Sequence, residues 1–175
     1  GADALAVADV SDPSAPVVLG VVADAARLDG AAGVAYDAAA QLAFVASAGG
    51  GSLAVVDVSD PSAPSVVGAL VDASLAGASS VAHDAATGRV FVACGGASSL
   101  AVVDVSTPAA PSLAGSLGAL EGAAGVALDR TTGRVLVACE GADALAVVDV
   151  SDPSTLTLVG AEADAGRLHG AVGVA

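Results

Sequence analysis

Three residues of this chain have the types and positions to hold a divalent metal: Asp29, Glu121 and His169. Each stands immediately before a glycine, Gly30, Gly122 or Gly170, as Ala76 does before Gly77. Two carboxylates and an imidazole could ligate a divalent ion, which would act as a Lewis acid on water or on a lactone carbonyl. Adjacent loops add Asp3, Cys94, Cys139, Glu140 and Asp143. Against this, Ala76 leaves one position without a ligand and no spacing rule makes the others converge. The competing reading is a solvated acidic rim.

A second set, Asp9, Asp57, Asp104 and Asp149, recurs once per repeat and suggests calcium, whose oxygen ligands lie at about 2.3–2.6 Å. Each is followed two residues later by a serine (Ser11, Ser59, Ser106, Ser151), so the expected role is acceptor within its own turn. Asp12, Asp60 and Asp152 precede proline. Thr107 takes that place in the third copy, keeping the oxygen without the charge, as turn initiation requires and ion binding does not. Asp84 and Asp129 open hairpins containing Gly88 and Gly133, and Asp37 holds the same place. Arg89 and Arg134, after those glycines, read as exposed turn residues, with Gln41 at the same place. His83 stands where other copies have Tyr36 and Leu128, and is expected to be packed. Cys94 and Cys139, 45 residues apart, are expected to be buried free thiols.

A repeat sets all these positions. The phrase Leu5-Ala-Val-Ala-Asp-Val-Ser-Asp-Pro-Ser-Ala-Pro16 returns at Leu53, Leu100 and Leu145, at intervals of 48, 47 and 45 residues. A second phrase keeps the same clock: Gly33-Val-Ala-Tyr-Asp37, Ser80-Val-Ala-His-Asp84, Gly125-Val-Ala-Leu-Asp129 and Gly173-Val-Ala175. No run of ten or more residues carries a 3.6-residue stripe. Short Val, Leu and Ala runs separated by Gly, Pro, Asp and Ser give four strands per repeat instead, read as Ser80–His83, Val90–Cys94, Leu53–Val58 and Val66–Val71.

The Leu-Ala-Val-Val-Asp-Val-Ser-Asp-Pro-Ser-Ala-Pro phrase, with Ser65-Val-Val-Gly68 after it, resembles the LVIVD-repeat family of bacterial, archaeal and algal surface proteins. The resemblance covers essentially the whole chain. It implies a β-propeller and a cell-surface or extracellular location, but no shared reaction. Departures at Ala8, at Thr107-Pro-Ala-Ala and at Thr155-Leu156 fall in turns or exchange a small residue for a large one.

The fold expected is therefore all-β, a propeller or propeller fragment of about four four-stranded antiparallel blades, one incomplete, in a single repeat domain over 1–175. The Gly-Val-Ala phrase suits the crowded inner strand, so the chain opens on a third strand at Leu5 and ends on an inner strand, Val172–Ala175. One second strand is absent. The break inside a repeat points to a piece of a longer propeller. Completion by another chain, or self-association through the unpaired blade edge, are the alternatives.

Composition bounds the function. The 175 residues are 55% hydrophobic with only Tyr36, Phe44 and Phe91 as aromatics, which argues against disorder and against base-stacking nucleic-acid platforms. A formal charge of -14 repels phosphate backbones and anionic membranes. The longest uncharged run, between Asp37 and Asp57, is interrupted by Gln41, Gly49, Gly50 and Gly51, so no membrane insertion is expected; nor is a signal peptide read at the N-terminus. The expected role is a noncatalytic scaffold for a protein or glycan ligand, with Asp29, Glu121, His169, Glu140 and Asp143 on the binding rim and no cofactor. A metal-dependent lactonase-like hydrolase and a calcium-binding acidic surface protein are the other two readings.

Overall fold

The computed structural model describes residues 3–174. Among them the chain forms β1 (Ala4–Asp9), β2 (Val17–Ala23), β3 (Ala31–Asp37), β4 (Leu42–Ser47), β5 (Ser52–Asp57), β6 (Ser65–Val71), β7 (Ala78–Asp84), β8 (Arg89–Cys94), β9 (Ser99–Asp104), β10 (Ser112–Leu117), β11 (Ala123–Asp129), β12 (Arg134–Cys139), β13 (Ala144–Asp149) and β14 (Thr157–Ala163). Helical structure among the described residues is limited to single 3-10 turns at Ala73–Leu75 and Glu140–Ala142. Three sheets are four-stranded antiparallel meanders, β3 to β6, β7 to β10 and β11 to β14, while β1 and β2 form a two-stranded sheet. The inner strand of each blade carries the Gly-Val-Ala phrase or its serine variant, and the third carries Leu-Ala-Val-Val-Asp, as the repeat predicts. Inner strands β3, β7 and β11 lie side by side across the blades.

Blades pack face to face, so their central strands are covered on both sides and must be apolar throughout. β4, β5, β8 and β9 are buried over nearly their whole length. Phe44, Leu53 and Val55 of one blade share a core with Val90, Val92 and Val103 of the next. The crowding explains Gly33, where a Cβ would sit 2.5 Å from the Ser79 carbonyl oxygen of the neighbouring inner strand. A bulge at Ala32, Ser79 and Ala124 leaves one residue out of each inner ladder. At the second blade the bulged Ser79 hydroxyl donates across the gap to the Ala124 carbonyl, at 2.9 Å.

Some sequence expectations need correction. The inner strand expected at Val172–Ala175 is not a strand over its described residues, 172–174, which have no ladder partner among the described residues; Ala175 lies outside the described residues. The third strand starts at Ser52 and ends at Asp57 rather than Val58. Arg89 and Arg134 are the first residues of β8 and β12, not turn residues. Gln41 matches the glycines instead. It has φ 55°, as Gly88 has 63° and Gly133 has 65°, so this non-glycine residue holds the left-handed conformation that closes the hairpin.

Candidate functional site

Asp29, Ala76, Glu121 and His169 each precede a glycine of positive φ, Gly30, Gly77, Gly122 or Gly170, in the loop that delivers the inner strand. The Asp29 carbonyl accepts from the Gly49 and Gly50 N–H groups at 3.1 and 3.2 Å, tying this turn to the second-to-third-strand loop of the same blade. A Cβ at Gly49 would lie 2.8 Å from the Asp29 carboxyl, and one at Gly141 would lie 3.0 Å from Glu121 Cγ. Asp29 and Glu121 are therefore each seated over a glycine of their own blade. They are not brought together with His169. His169, its side chain 83% exposed, approaches Asp143, with Nδ1 3.2 Å from Oδ1.

Asp143 is mainly a backbone acceptor. Its Oδ1 takes the Gly170 N–H at 3.0 Å, as Asp3 Oδ1 takes that of Gly30 at 3.1 Å. The Gly170 bond is foremost in holding the Asp143 carboxyl below the usual range, with His169 adding to it. Glu140 is exposed and donates its own N–H to the Gly122 carbonyl. Among the described residues, no group of three or more His, Cys, Asp or Glu is placed to hold a metal ion.

The repeated aspartates are engaged as the sequence predicts. Asp9, Asp57, Asp104 and Asp149 each accept the N–H of the serine two residues on, at 2.8–2.9 Å. Asp12, Asp60 and Asp152 do the same for Ser14, Ser62 and Ser154 and also take their hydroxyls. These bonds lower the carboxyl pKa values: foremost the backbone N–H for Asp57, and the serine hydroxyl for Asp60, Asp104 and Asp149. Cys94 and Cys139 are buried free thiols. Desolvation pushes Cys94 up to about 12 and raises Cys139, so neither is a thiolate nucleophile at neutral pH.

His83 is packed, with its side chain 8% exposed and its ring centroid 4.4 Å from that of Phe44 in the preceding blade. Tyr36 holds the same place in the first complete blade but is 57% exposed. Around it opens an apolar cleft of about 480 Å³, lined by Leu5, Val7, Val34, Tyr36, Ala43 and Pro61. This is the room that a second strand fills at the other junctions.

The sequence reading missed two sets of contacts between or within blades. Arg130 donates to the His83 carbonyl at 2.6 Å and to Asp84 at 3.2 Å, clamping the third complete hairpin to the second. The buried hydroxyls of Ser47 and Ser52 both donate to the Arg27 carbonyl. Their signal was present: Ser47 stands where the later blades have Cys94 and Cys139, a polar residue closing an otherwise apolar strand.

The described strands match solved structures, a β-propeller domain among them. A solved protein from Lactobacillus plantarum superposes with TM-score 0.79 at 19% identity, covering 93% of this chain and 52% of that one. A protein described as a candidate 6-phosphogluconolactonase from Bacteroides uniformis gives 0.75 at 13% identity, covering 90% and 48%. The β-propeller domain of Cps50 (Swd1) from Myceliophteria thermophila gives 0.66 at 14% identity, covering 90% and 52%. The chain thus spans about half the length of these structures, and at such identities the likeness shows the fold alone. No curated protein matches the chain. The LVIVD repeat matches at residues 2–24, 41–72, 90–118 and 137–163, one span for each third-to-fourth-strand hairpin. With the blade order and the repeated turn phrase in agreement, the chain belongs to the LVIVD repeat family and carries its repeats as blades of a β-propeller.

Proposed function

We propose that this chain is a noncatalytic propeller scaffold at the cell surface, taking a protein or glycan ligand on the rim that carries Asp29, Glu121, Glu140, Asp143 and His169. The observation that carries the reading is the contrast between framework and rim. The turn aspartates repeat from blade to blade and have their carboxylates engaged by their own turns. The position before each inner-strand glycine changes from Asp to Ala to Glu to His. A constant frame with one varied position per repeat, exposed at Asp29, Glu121 and His169 and half-buried at Ala76, suits ligand choice better than a shared reaction. The test is glycan-array and surface binding to extracellular proteins, with wild type beside Asp29→Ala/Glu121→Ala. Binding by the wild type that the double variant loses, at unchanged circular dichroism, supports the rim; binding equal in both removes it.

The close approach of His169 to Asp143 favours a second reading, a metal-dependent hydrolase of lactones; the Bacteroides uniformis protein is described as a candidate 6-phosphogluconolactonase. It requires Asp29 and Glu121 to leave the loops they lie over and reach the same ion. Calorimetric titration with zinc and calcium decides. Saturable heat lost in His169→Ala, together with lactone hydrolysis, would replace the scaffold reading.

A further inference from the structure

Every junction between the described blades is closed at its outer edge by the same device, the Pro turn of one blade seated on a fourth-strand glycine of the blade before. A Cβ at Gly20 of β2 would lie 2.5 Å from the Pro61 carbonyl oxygen. Gly68 of β6 receives Pro108 and Ala109 in the same way, and Gly115 of β10 receives Pro153. Only a residue without a Cβ admits so close a backbone.

Nearer the inner strands, at the hairpin end away from the rim, the two junctions between complete blades differ. Between the first and second blades the space is filled: the His83 ring lies on Phe44, and Leu42 packs against the same core. At the next junction Leu128 stands for His83, Arg89 for Leu42 and Arg130 for Ala85. A cleft of about 300 Å³ opens there.

The floor of that cleft is apolar. Phe91 and Val150 are buried in the core the two blades share, and Leu128 packs against it. Its lining also takes two of the chain's five basic residues, in a molecule of formal charge -14. Arg130 is held by the His83 carbonyl and by Asp84, whose other carboxyl oxygen takes the Thr87 hydroxyl at 2.7 Å. Arg89 is half-buried, two residues before Phe91 on β8 and so on the same face of the strand. Among the described residues its guanidinium has no hydrogen-bond or ion-pair partner. Asp104, across the ladder, and Asp152 feel its charge, yet both are engaged foremost by the hydroxyls of their own turn serines, Ser106 and Ser154.

We infer that this cleft binds a small carboxylate with an apolar body the size of a single ring, the carboxylate on Arg89 and the body on Phe91, Leu128 and Val150. A planar guanidinium fork matches a carboxylate, and an apolar floor with few polar groups is the usual make-up of a small-molecule site. Both parts of the ligand are needed. A bare anion gains nothing from the floor and is repelled by the molecule's net charge, while a neutral body leaves Arg89 unmatched. The cleft lies at the opposite end of the strands from Asp29, Glu121 and His169, so this goes beyond the scaffold reading and is tested apart from it.

Titration of the 175-residue chain with benzoate at constant ionic strength, followed by methyl chemical shifts, tests the assignment. Saturating shifts at Leu128 and Val150 are expected, with a dissociation constant of about 1 mM. Benzamide keeps the ring without the charge and acetate the charge without the ring; each should bind at least about tenfold more weakly. Arg89→Gln should weaken benzoate by the same factor, and Arg134→Gln, a cation outside the cleft, should leave it unchanged. Leu128→Phe fills the cleft from the opposite blade and should also weaken it, so one variant decides if the other fails to fold. Shifts that do not saturate, or that centre on the rim, overturn the inference. Benzamide or acetate binding as tightly as benzoate overturns the two-part ligand, and benzoate binding that survives both Arg89→Gln and Leu128→Phe overturns the site.

Discussion

The fourth strands β6 and β14 are both built mainly from Val, Leu, Ala and Gly, yet β6, with a blade packed on it, has Gly68 buried and Val66, Ala69 and Leu70 half-buried, while β14 is exposed throughout. The same contrast holds between residues at one position. His83 is covered by Phe44 of the preceding blade, while Tyr36 has no second strand before it among the described residues and lies open. Burial here is a property of having a neighbour, not of the blade's own sequence. Stability should therefore accumulate junction by junction.

Interior and terminal positions should respond differently to the same change. Phe44→Ala removes a ring that is 1% exposed and bridges two blades. It should cost about 3–5 kcal/mol in urea unfolding. Tyr36→Ala should fall within about 1 kcal/mol of wild type, since most of that ring is already wet. Equal losses at the two sites would break the comparison. Next in size, Gly115→Val drives methyl groups into the Pro153 carbonyl and should cost about 1–3 kcal/mol by overpacking. Gly160→Val, where nothing lies within 4 Å of the added Cβ, should shift the midpoint by less than about 0.5 kcal/mol.

Acid acts on all the turns together. The hydroxyls of Ser14, Ser62, Ser106 and Ser154 hold Asp12, Asp60, Asp104 and Asp152 below the ordinary carboxylate range. The unfolded chain then takes up protons first. The stabilisation is complete above about pH 4 and is lost as pH falls through the lower folded values. A circular dichroism titration should be flat from neutrality to about pH 4 and fall below it; a fall centred near pH 6 would assign the acid sensitivity to histidine instead.

The smallest effect belongs to His83. Desolvation lowers its pKa, against the opposing pull of Asp37 and Asp84. The unfolded imidazole protonates at about pH 6.5, so stability declines as pH drops from there toward the folded value. His83→Leu, the residue found at position 128, should flatten that decline and leave the acid transition of the aspartates in place.

Much of the architecture was legible because the repeat states it four times. Turn aspartates, hairpin glycines and the inner position of Gly-Val-Ala each recur in register, and a strand pattern read in one copy is checked by the next. The rim was legible only as a set of places. Whether Asp29, Glu121 and His169 meet depends on how the blades are set beside one another, which no spacing within a repeat encodes. The three stay apart, and the contact that does form, His169 with Asp143, joins residues brought together by a loop. The glycine under each Pro turn was visible as Ser65-Val-Val-Gly68 and its copies. Its purpose was not, because the partner turn lies in the following repeat.

The junctions also share one address. The turn at 59–64 carries nothing that tells Gly20 from Gly68 or Gly115, so the chain's own connectivity, rather than side-chain recognition, decides which blade sits beside which. Refolding from denaturant should therefore become less faithful as concentration rises, when blades of other copies compete for the same glycine.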